Sequence, residues 1–556
     1  MTVWNRRVVP ILAVLLLLFL TLILLRKQLI LMVLAYANQP DIDVHLAIEW
    51  QAGERTISAQ DQTSSSPNIV FILVDDLGIN DLSTFGGGVA GGQVQTPNID
   101  RLAGEGVVFE QAYSGTATCA PSRAMLMTGR YPSRTGFEFT PTPDGMGRII
   151  ELFSNNDELG LPPVKRNAAV ANHQPRFEEQ GLPGSEITVA ELLQQTGYRT
   201  AHIGKWHLGR SLESRPTAQG FDDSLLMASG LYLPVDDPNV VNARVPFDAI
   251  GEFLWARMRY AASFNDSDWF EPQGYLTDYW TNEAIRFIET PSSQPFFLYL
   301  AHWGVHTPLQ ATRADYEAVG PIEPHTLRVY AAMVRALDRS VGRLLEALER
   351  QGIADNTLIV FSSDNGGAGY LGLNDINAPY RGWKLTLFEG GLRVPLFMRW
   401  PNRIPPGQRV RTPVAHIDVM PTLAAAAAAN LPTDRVIDGV SLLSAAAGGG
   451  TIDRPDDALY WSSGSYRAVR AGDWKLQVEE ARGVKRLYNL ADDPTEQQDL
   501  STQLPEQVSS LERLMAAHWA NARPPLFRHT IEGPVAVDKT QAQPLEPGEE
   551  YVVWPN

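Results

Sequence analysis

Five short and nearly continuous apolar runs limit what this chain can fold into. They span residues 68–76, 200–204, 295–303, 357–366 and 394–400 and read NIVFILVDD, TAHIG, PFFLYLAHW, TLIVFSSDNG and VPLFMRW. A run of this kind is typical of a strand that is buried on both faces, as in a parallel sheet. The sequence therefore predicts a sheet whose two faces are both covered by other elements.

Helical periodicity separates these runs. In the segment YWTNEAIRFIE, Trp280, Ala284 and Ile288 fall on one helical face. A longer apolar face begins at Tyr330 and continues to Gly352, a residue type that commonly follows the end of a helix. Strands that alternate with helices predict an α/β fold with a mostly parallel sheet flanked by helices.

The length and texture of the chain predict more than one structural unit. Its 556 residues far exceed the ~150 residues of a typical domain. After a stretch rich in alanine and glycine, short runs separated by Gly or Asp predict an antiparallel sheet. We therefore predict five regions, which are an N-terminal anchor or signal segment at 1–37, a linker at 38–66, the main α/β domain at 67–445, a smaller C-terminal subdomain at 446–522 and a tail at 523–556.

The N-terminus resembles a segment directed to a membrane. Residues 8–25 form an apolar run of 18 residues, which reaches the ~17–25 residues that a helix needs to span a bilayer. We predict that this run anchors the protein in a membrane and that the rest of the chain is exported to the periplasm or cell envelope. The alternative is a cleaved signal peptide, because Ala35-Tyr36-Ala37 resembles a signal-peptidase site.

The charge balance and the cysteine count narrow the class of protein. With 46 basic and 63 acidic residues, the chain carries a formal net charge of −17. That charge argues against a nucleic-acid-binding protein, which would carry a basic field. Cys119 is the only cysteine, so no intrachain disulfide can form. This favours a bacterial envelope protein over a secreted animal enzyme, since the latter usually carries several disulfides.

Oxygen-bearing side chains follow two of the predicted strands. Asp75 and Asp76 end the first apolar run, and Asp364 and Asn365 end the fourth. The carboxyl ends of parallel strands lie at one edge of a sheet, so these groups can converge. Adjacent carboxylates repel each other, and an all-oxygen ligand set favours Ca²⁺ or Mg²⁺. Helix capping is the alternative, because Asp and Asn are common where a strand leads into a helix.

Two lysines and two histidines lie in further motifs of the sequence. The chain has only seven lysines against 39 arginines, yet Lys205 and Lys384 occur in the Gly-flanked motifs GKWHLG and RGWKLTLFEGG. We interpret them as compact charges for an anion, with snorkelling surface lysines as the alternative. His207 would point to the same side as Lys205 on an extended segment. His306 is a candidate proton donor, with a structural histidine as the alternative.

Cys119 lies in the sequence TATCAPSRAMLMTGR. Pro121 suits the first position of a helix, and Gly129 suits its end. The cysteine would then lie just before a helix N-terminus, where backbone N–H groups favour anions. A thiolate nucleophile and a buried, inert thiol are both open interpretations. A bare thiolate beside three carboxylates is electrostatically unfavourable.

Together these motifs resemble those of the sulfatase family. The signature C-x-P-x-R is present from Cys119 to Arg123, and VDDLG, GKWHLG, HTPL, SDNGG and RGWKLTLFEGGLRVP also occur in the order of the family, within residues 67–500. The resemblance implies an alkaline-phosphatase-like fold and hydrolysis of sulfate monoesters, either aryl sulfates or sulfated carbohydrate. It also implies that a formylglycine-generating or maturase enzyme acts on residues 119–123 and oxidises the cysteine to formylglycine, whose hydrated aldehyde is the nucleophile.

The resemblance assigns a role to each candidate residue. The ligands of a Ca²⁺ ion, or alternatively Mg²⁺, would be Asp75, Asp76, Asp364, Asn365 and the modified residue 119. Contacts with the sulfate group or the modified side chain would come from Arg123, Lys205, His207, His306 and Lys384. Arg123 would hold the modified side chain, and the two lysines would bind sulfate oxygens. One histidine would protonate the leaving oxygen (His306), and the other would assist the release of sulfate (His207).

Two other functions are compatible with the motifs. A phosphonate monoesterase or phosphodiesterase can use the same scaffold and nucleophile. A non-catalytic, membrane-anchored protein that binds sulfated glycans would instead keep its thiol intact. Residues 137–185 and 230–275 match no family motif, and their aromatic residues could line a substrate pocket or belong to the core; the candidates are Phe253, Trp255, Trp269, Phe270 and Tyr275.

Overall fold

A computed structural model describes residues 11–12, 15, 21, 25–36, 41–53, 66–154, 158–245 and 247–556. Most of the predicted anchor at 8–25 and about half of the predicted linker at 38–66 lie outside the described residues. In the part of the chain that the structure describes, none of the helices combines the length and apolar character needed to cross a bilayer.

The five apolar runs all form strands of one nine-stranded sheet within the described residues. The strands that precede residue 446 are β1 Asn68–Val74, β2 Val107–Phe109, β3 Ala112–Tyr113, β4 Lys165–Arg166, β5 Arg199–Gly204, β6 Asp223–Ser229, β7 Val240–Ala243, β8 Arg259–Phe264, β9 Phe296–Ala301, β10 Leu309–Thr312, β11 Thr357–Ser363, β12 Leu396–Arg399, β13 Gln408–Val410 and β14 Val414–Ala415. The order in the sheet is β13-β2-β12-β11-β1-β9-β5-β6-β8. Its central strands, from β11 to β6, are parallel, whereas β12 and β8 pair antiparallel with their neighbours.

Strand β1 shows why a continuous apolar run is required. Val70 and Ile72 pack into a hydrophobic core on one face of the sheet, while Ile69 and Phe71 pack into a second core on the other. Successive side chains of a strand point to opposite faces, so each face takes every second residue. Burial of each such side chain stabilises the fold by roughly 1.5–3 kcal/mol. The predicted α/β fold class is confirmed.

Helices cover both faces of the sheet. The longer helices of the described residues are Arg26–Tyr36, Pro97–Gly104, Cys119–Thr128, Met146–Phe153, Val189–Gln195, Ala249–Arg257, Leu276–Glu289, His325–Arg350, Val419–Ala426 and Pro505–Trp519, and the shorter ones are Val89–Gly92, Pro132–Thr135, Ala168–Ala171, Arg313–Ala318, Glu389–Leu392 and Leu443–Ala446. Trp280 and Tyr330 bury the predicted apolar faces of their helices in the first core. The long helix ends at Arg350, and Gly352 then adopts φ of +68°, as the sequence predicted.

The C-terminal part contains two further sheets. Its strands are β15 Ala458–Ser463, β16 Tyr466–Ala471, β17 Trp474–Glu479, β18 Val484–Asn489, β19 Ile531–Ala536 and β20 Tyr551–Pro555. The first four form the predicted antiparallel sheet. The predicted tail contributes β19 and β20, which pair with each other and with β4. The region boundaries remain predictions.

A buried ionic network joins the C-terminal sheet to the main part of the chain. Lys475, on β17, is fully buried, and its Nζ lies 2.8 Å from an oxygen of Glu389 and 3.0 Å from an oxygen of Glu496. Burial by itself lowers the pKa of Lys475, but the two carboxylates outweigh it and raise that pKa. Arg393 also pairs with Glu389, at 3.2 Å, so two buried cationic side chains face the two buried carboxylates.

Replacing Lys475 with methionine is expected to lower the free energy of unfolding by about 3–5 kcal/mol, because Glu496 loses the buried cation that it pairs with and Glu389 loses one of its two. Equilibrium urea denaturation measures the change. Lys485→Met is the matched control, since this lysine lies on the next strand and pairs with Glu512 at 2.6 Å, where both side chains are accessible to solvent. That control is expected to cost less than about 1 kcal/mol. Equal losses in the two variants would contradict the role of the network.

Candidate active site

The candidate residues lie together at the carboxyl edge of the parallel strands. Asp75 and Asp76 follow β1, Lys205 follows β5, and Asp364 and Asn365 follow β11. Parallel strands present these ends side by side, which is why residues from distant parts of the chain meet there. Loops and one helix supply the others, namely Cys119, Arg123, His207, His306 and Lys384.

The helix that carries Cys119 begins at that residue. Thr118 occupies the N-cap position, and Gly129 ends the helix with φ of +66°. Pro121 is therefore the third helical residue, and the prediction that Cys119 lies just outside the helix is wrong. Proline fits there because the first N–H groups of a helix have no intrahelical acceptor. Cys119 thus lies within the first helical turn, at its electropositive end.

The Cys119 thiol is buried among charged groups. Its Sγ lies 3.2 Å from Nζ of Lys384 and 3.7 Å from Oδ1 of Asp75. Burial, and after it the charge of Asp364, raises the pKa of the thiol to about 12. The thiol is therefore protonated at neutral pH, which argues against a simple thiolate nucleophile.

Arg123 links the cysteine helix to the strand ends. Its guanidinium is fully buried and donates hydrogen bonds to Oδ2 of Asp75 and Oδ2 of Asp364, each at 2.9 Å, and to the backbone carbonyl of Lys205, also at 2.9 Å. Burial lowers the pKa of Arg123, but the carboxylates outweigh that effect and raise it. The planar fork of arginine fits this arrangement, in which it holds three chain segments together.

Asp76 receives several hydrogen bonds. Its Oδ1 accepts from Lys384 at 2.5 Å and from Nδ2 of Asn365 at 2.8 Å, and its Oδ2 accepts from Tyr370 at 2.9 Å. Burial alone would raise the pKa of Asp76, but Lys384 and His306 hold it well below its usual range. The residue also has φ of +60°, a strained conformation that is common at functional sites.

The donor set fits a hard cation. Single ligand atoms of Asp75, Asp76, Cys119 and His306 lie within 4.8 Å of one another. Oδ1 of Asn365 is buried and accepts no hydrogen bond from any described residue, so it is available to a metal ion. Carboxylate and amide oxygens are ligands that Ca²⁺ and Mg²⁺ prefer. Asp364 was predicted as a ligand, and in this structure its Oδ2 pairs with Arg123.

The charges of the site balance without a metal ion. Three buried carboxylates face three buried cationic side chains. The carboxylates belong to Asp75, Asp76 and Asp364, and the cations are Arg123, Lys205 and Lys384. A divalent cation would leave a net charge of about +2 in a weakly screened environment. Such a site would attract an anion, which is the role that the sequence predicts for the two lysines.

The two lysines are not surface side chains. Lys205 and Lys384 are only 5% and 7% exposed. Nζ of Lys205 lies 2.6 Å from Oδ2 of Asp75 and 4.7 Å from the centre of the Trp303 ring. Both ammonium groups therefore lie directly beside the oxygens that a metal ion would use.

The backbone conformation that places His207 in the site differs from the predicted one. It has φ of +64°, so the segment after β5 is not extended as expected. Its ring lines the same cavity as Lys205, and Nδ1 is buried without a hydrogen-bond partner among the described residues. Burial and the charge of Lys205 lower the pKa of His207 well below its usual value.

His306 is fixed on two sides. Its Nδ1 lies 2.6 Å from the carbonyl oxygen of Thr307, and its ring stacks on Trp303 with the centres 4.0 Å apart. Nε2 then lies 3.6 Å from Oδ2 of Asp76. Burial lowers the pKa of His306 to about 3, so the imidazole is neutral at neutral pH.

One cavity of about 610 Å³ contains these groups. Cys119, Lys205, His207, His306 and Lys384 all line it. Its volume lies within the roughly 300–1,000 Å³ of typical ligand sites. The thiol, two cations and two histidines of the site thus face one space in which a small ligand can bind.

The aromatic candidates divide into two groups. Phe253 and Trp269 line the cavity, as the sequence suggested. Phe270 and Tyr275 are buried in the first hydrophobic core, and Trp255 packs against that core. The composition of the segment could not separate these two roles.

Two contact residues were missed by sequence reasoning. Tyr370 bonds to Asp76, and Trp303 stacks on His306. Tyr370 lies several residues after the SDNG motif and is not part of a recognisable sequence motif. Trp303 lies at the end of an apolar run, where an aromatic residue looks like a core residue.

Comparisons with known proteins match most of the chain. The family model Sulfatase matches residues 67–429, and a model described as N-sulphoglucosamine sulphohydrolase, C-terminal, matches residues 382–520. An N-acetylgalactosamine-6-sulfatase of Mus musculus is 34% identical over 422 residues, which cover 74% of this chain and 72% of the relative. A steryl-sulfatase of Rattus norvegicus is 33% identical over 440 residues, covering 68% and 70%.

Solved structures share the fold. The crystal structure of Ps i-CgsB in complex with k-i-k-neocarrahexaose is 31% identical with a TM-score of 0.67, and the match covers 83% of this chain and 94% of that one. The phosphonate monoester hydrolase of Agrobacterium radiobacter is 18% identical with a TM-score of 0.55, covering 83% and 97%. The latter likeness concerns the fold alone.

Proposed function

The chain belongs to the sulfatase family and is a sulfuric ester hydrolase, and from this premise we propose that it hydrolyses sulfate monoesters through a formylglycine formed from Cys119, with a bound Ca²⁺ ion. The predicted family and enzyme class are confirmed. The mechanism is supported above all by Cys119, whose thiol lies 3.2 Å from Lys384 in the first turn of a helix and faces the cavity. Mg²⁺ is the alternative ion, and the substrates are aryl sulfates or sulfated carbohydrates.

Formylglycine and the metal ion supply chemistry that the unmodified chain lacks. A hydrated aldehyde offers a hydroxyl nucleophile, and a divalent cation polarises sulfate and lowers the pKa of a neighbouring hydroxyl. Asp75, Asp76 and Asn365 would hold the ion with the modified residue, and Asp364 would complete the set. Modification also explains why a thiol with a raised pKa occupies this position. A formylglycine-generating or maturase enzyme acting on residues 119–123 would carry it out.

The chain's own cations would bind the sulfate group. Lys205 and Lys384 pair with Asp75 and Asp76 in the structure. A metal ion on those carboxylates would repel both ammonium groups and free their N–H donors for sulfate oxygens. Donors fixed in a buried site stabilise the charge that develops in the transition state. His306 and His207 line the cavity and would move protons at the leaving oxygen and at the modified residue.

Replacing Asn365 with alanine is expected to weaken Ca²⁺ binding by roughly 10-fold or more, because Oδ1 is the buried oxygen without another partner. A bound ion raises the melting temperature by mass action, so calorimetry with and without Ca²⁺ measures the change independently of activity. The matched control is Asn377→Ala, since Asn377 is also buried but already bonds to the backbone of Gly367 through both side-chain atoms. A calcium response that is unchanged in Asn365→Ala would contradict the metal site.

Substrate ranking tests the reaction itself. The formylglycine-containing protein is expected to hydrolyse an aryl sulfate with a higher kcat/KM than the phosphate or phosphonate ester of the same phenol. A reversed ranking would identify a phosphonate monoesterase or phosphodiesterase instead. The structural similarity to the phosphonate monoester hydrolase of Agrobacterium radiobacter supports that alternative only through a shared fold.

The proposed location of the protein is the cell envelope, with residues 8–25 as a membrane anchor. The helix Arg26–Tyr36 continues from that run, and its Lys27 pairs with Glu252 at 2.5 Å, next to the cavity wall. It exposes Met32 and Val33. The full chain is expected in the membrane fraction of the cell. Recovery of a chain that begins at Asn38 in the soluble periplasm would indicate a cleaved signal peptide.

A further inference from the structure

The cavity contains an arginine that the proposed sulfate chemistry does not use. Arg210 follows Lys205 and His207 in the segment after β5, and all three line the cavity. Its guanidinium lies over the rings of Phe177 and Trp269, with the centres 5.8 and 5.4 Å away. Two aromatic faces thus position a cation inside the cavity that would hold the substrate.

Arg210 has no ion-pair partner within 4 Å in the described part of the chain. Its single side-chain hydrogen bond there is donated by Nη2 to the backbone carbonyl of Ala228. A guanidinium has five N–H donors, so most of them are available to a ligand. The side chain is solvent-accessible through the cavity, yet the surrounding protein lowers the pKa of Arg210 through burial. Arg210 is exposed to the cavity and keeps donors that are not used within the described part of the chain, so a ligand in the cavity can bind to it.

Four other charged side chains line the cavity beyond the sulfate site. Glu178 lines it and acts on Arg210 at longer range, but it is exposed and forms no ion pair with this arginine. Asp248 also lines it and caps the helix Ala249–Arg257 by accepting from the N–H of Ile250 at 3.0 Å. Arg257 and Arg259 lie on the same lining. Beyond the sulfate site, the cavity therefore contains three arginines and two carboxylates.

We propose that Arg210 binds a second anionic group of the substrate, a carboxylate or second sulfate on the alcohol that carries the reacting ester. The assignment rests on the proposed function, because it places the reacting sulfate at Cys119, Lys205 and Lys384. The planar fork of arginine suits bidentate recognition of carboxylate and sulfate oxygens. Trp269 offers an apolar face beside it, on which a sugar ring can stack. The substrate class that fits is a doubly anionic sulfated saccharide.

The experiment compares two substrates with the full-length, formylglycine-containing protein. One is a monosulfated disaccharide, and the other is the same disaccharide with a second sulfate or a carboxylate. We expect the doubly anionic compound to have the higher kcat/KM. Arg210→Gln is expected to lower that preference by roughly 10- to 100-fold, the range of a charge-assisted hydrogen bond, while Arg210→Lys lowers it less. The preference should also decrease as ionic strength rises.

Glu178→Gln separates binding from a structural role. If Arg210 serves only to balance Glu178, both variants lower the melting temperature and neither changes the substrate preference, which would overturn the assignment. An equal loss on both substrates in Arg210→Gln would also overturn it, because this points to a shift of Lys205 and His207. If the protein hydrolyses simple aryl sulfates but shows no preference between the two disaccharides, the assignment of Arg210 to a second anionic group is wrong. The proposed function is not affected by that result. Failure on every sulfate ester would reject the proposed function itself.

Discussion

Replacing Cys119 with alanine is expected to lower kcat by at least about 10⁴-fold while the protein still folds, because the residue supplies the nucleophile only after modification. The side chain is buried and contacts Lys384 and Asp75, yet both partners keep other ion pairs in the site. Loss of the thiol should therefore change the melting temperature little. Steady-state rates with an aryl sulfate and calorimetry on the same samples measure both effects.

The unmodified wild-type chain is the matched control for this variant. Produced in a host without a formylglycine-generating enzyme, it keeps the same sequence and a thiol at position 119. It should be as inactive as Cys119→Ala, whereas the matured protein should give a peptide over residues 116–130 that is about 18 Da lighter. Full activity with an intact thiol would disprove the nucleophile. A thiol in native preparations that show no turnover would favour the glycan-binding alternative.

Replacing Arg123 with methionine is expected to lower the free energy of unfolding by about 3–5 kcal/mol and to abolish turnover, because Asp75 and Asp364 lose a buried partner. No other side chain at this position could bridge the two carboxylates and the carbonyl of Lys205 as the guanidinium does. Urea denaturation in the presence of a chelator measures the stability of the ion-free protein. Arg123→Lys should be intermediate, since it restores the charge but not the fork.

Arg467→Met is the control for that loss. Arg467 pairs with Glu480 at 3.0 Å on the surface, where side-chain exposures of 29% and 52% allow solvent to screen the pair. Its removal is expected to cost less than about 1 kcal/mol. A variant Arg123→Met that unfolds at the same urea concentration as the wild type would show that the buried bridge does not hold the site together.

Much of the fold was predictable because the responsible signals are local. The apolar runs predicted strands covered on both faces, and Ile69 and Val70 indeed enter two different cores. The end of the long helix was marked by Gly352. The antiparallel direction of β12 was not predictable, because the same burial on both faces is compatible with either direction.

The candidate site was predictable for a related reason. Asp75, Lys205 and Asp364 each follow an apolar strand, and a parallel sheet brings such ends together whatever the length of the chain between them. The role of Tyr370 could not be predicted, since its hydroxyl reaches Asp76 only through the fold of a loop. The conformation of His207 depends in the same way on the backbone around it, with φ of +64°.

The sequence by itself determined the strands, the convergence of their ends and the identity of the chemical groups, because these follow from periodicity and from residue type. Only the tertiary structure decided what surrounds them. Met146, Arg210 and Trp554 line one cavity although the first and the last of them are 408 positions apart along the chain. The predicted tail at 523–556 thus contributes to the lining of this cavity. Packing between such distant segments has no period in the sequence, since it depends on how completed elements fit together in space.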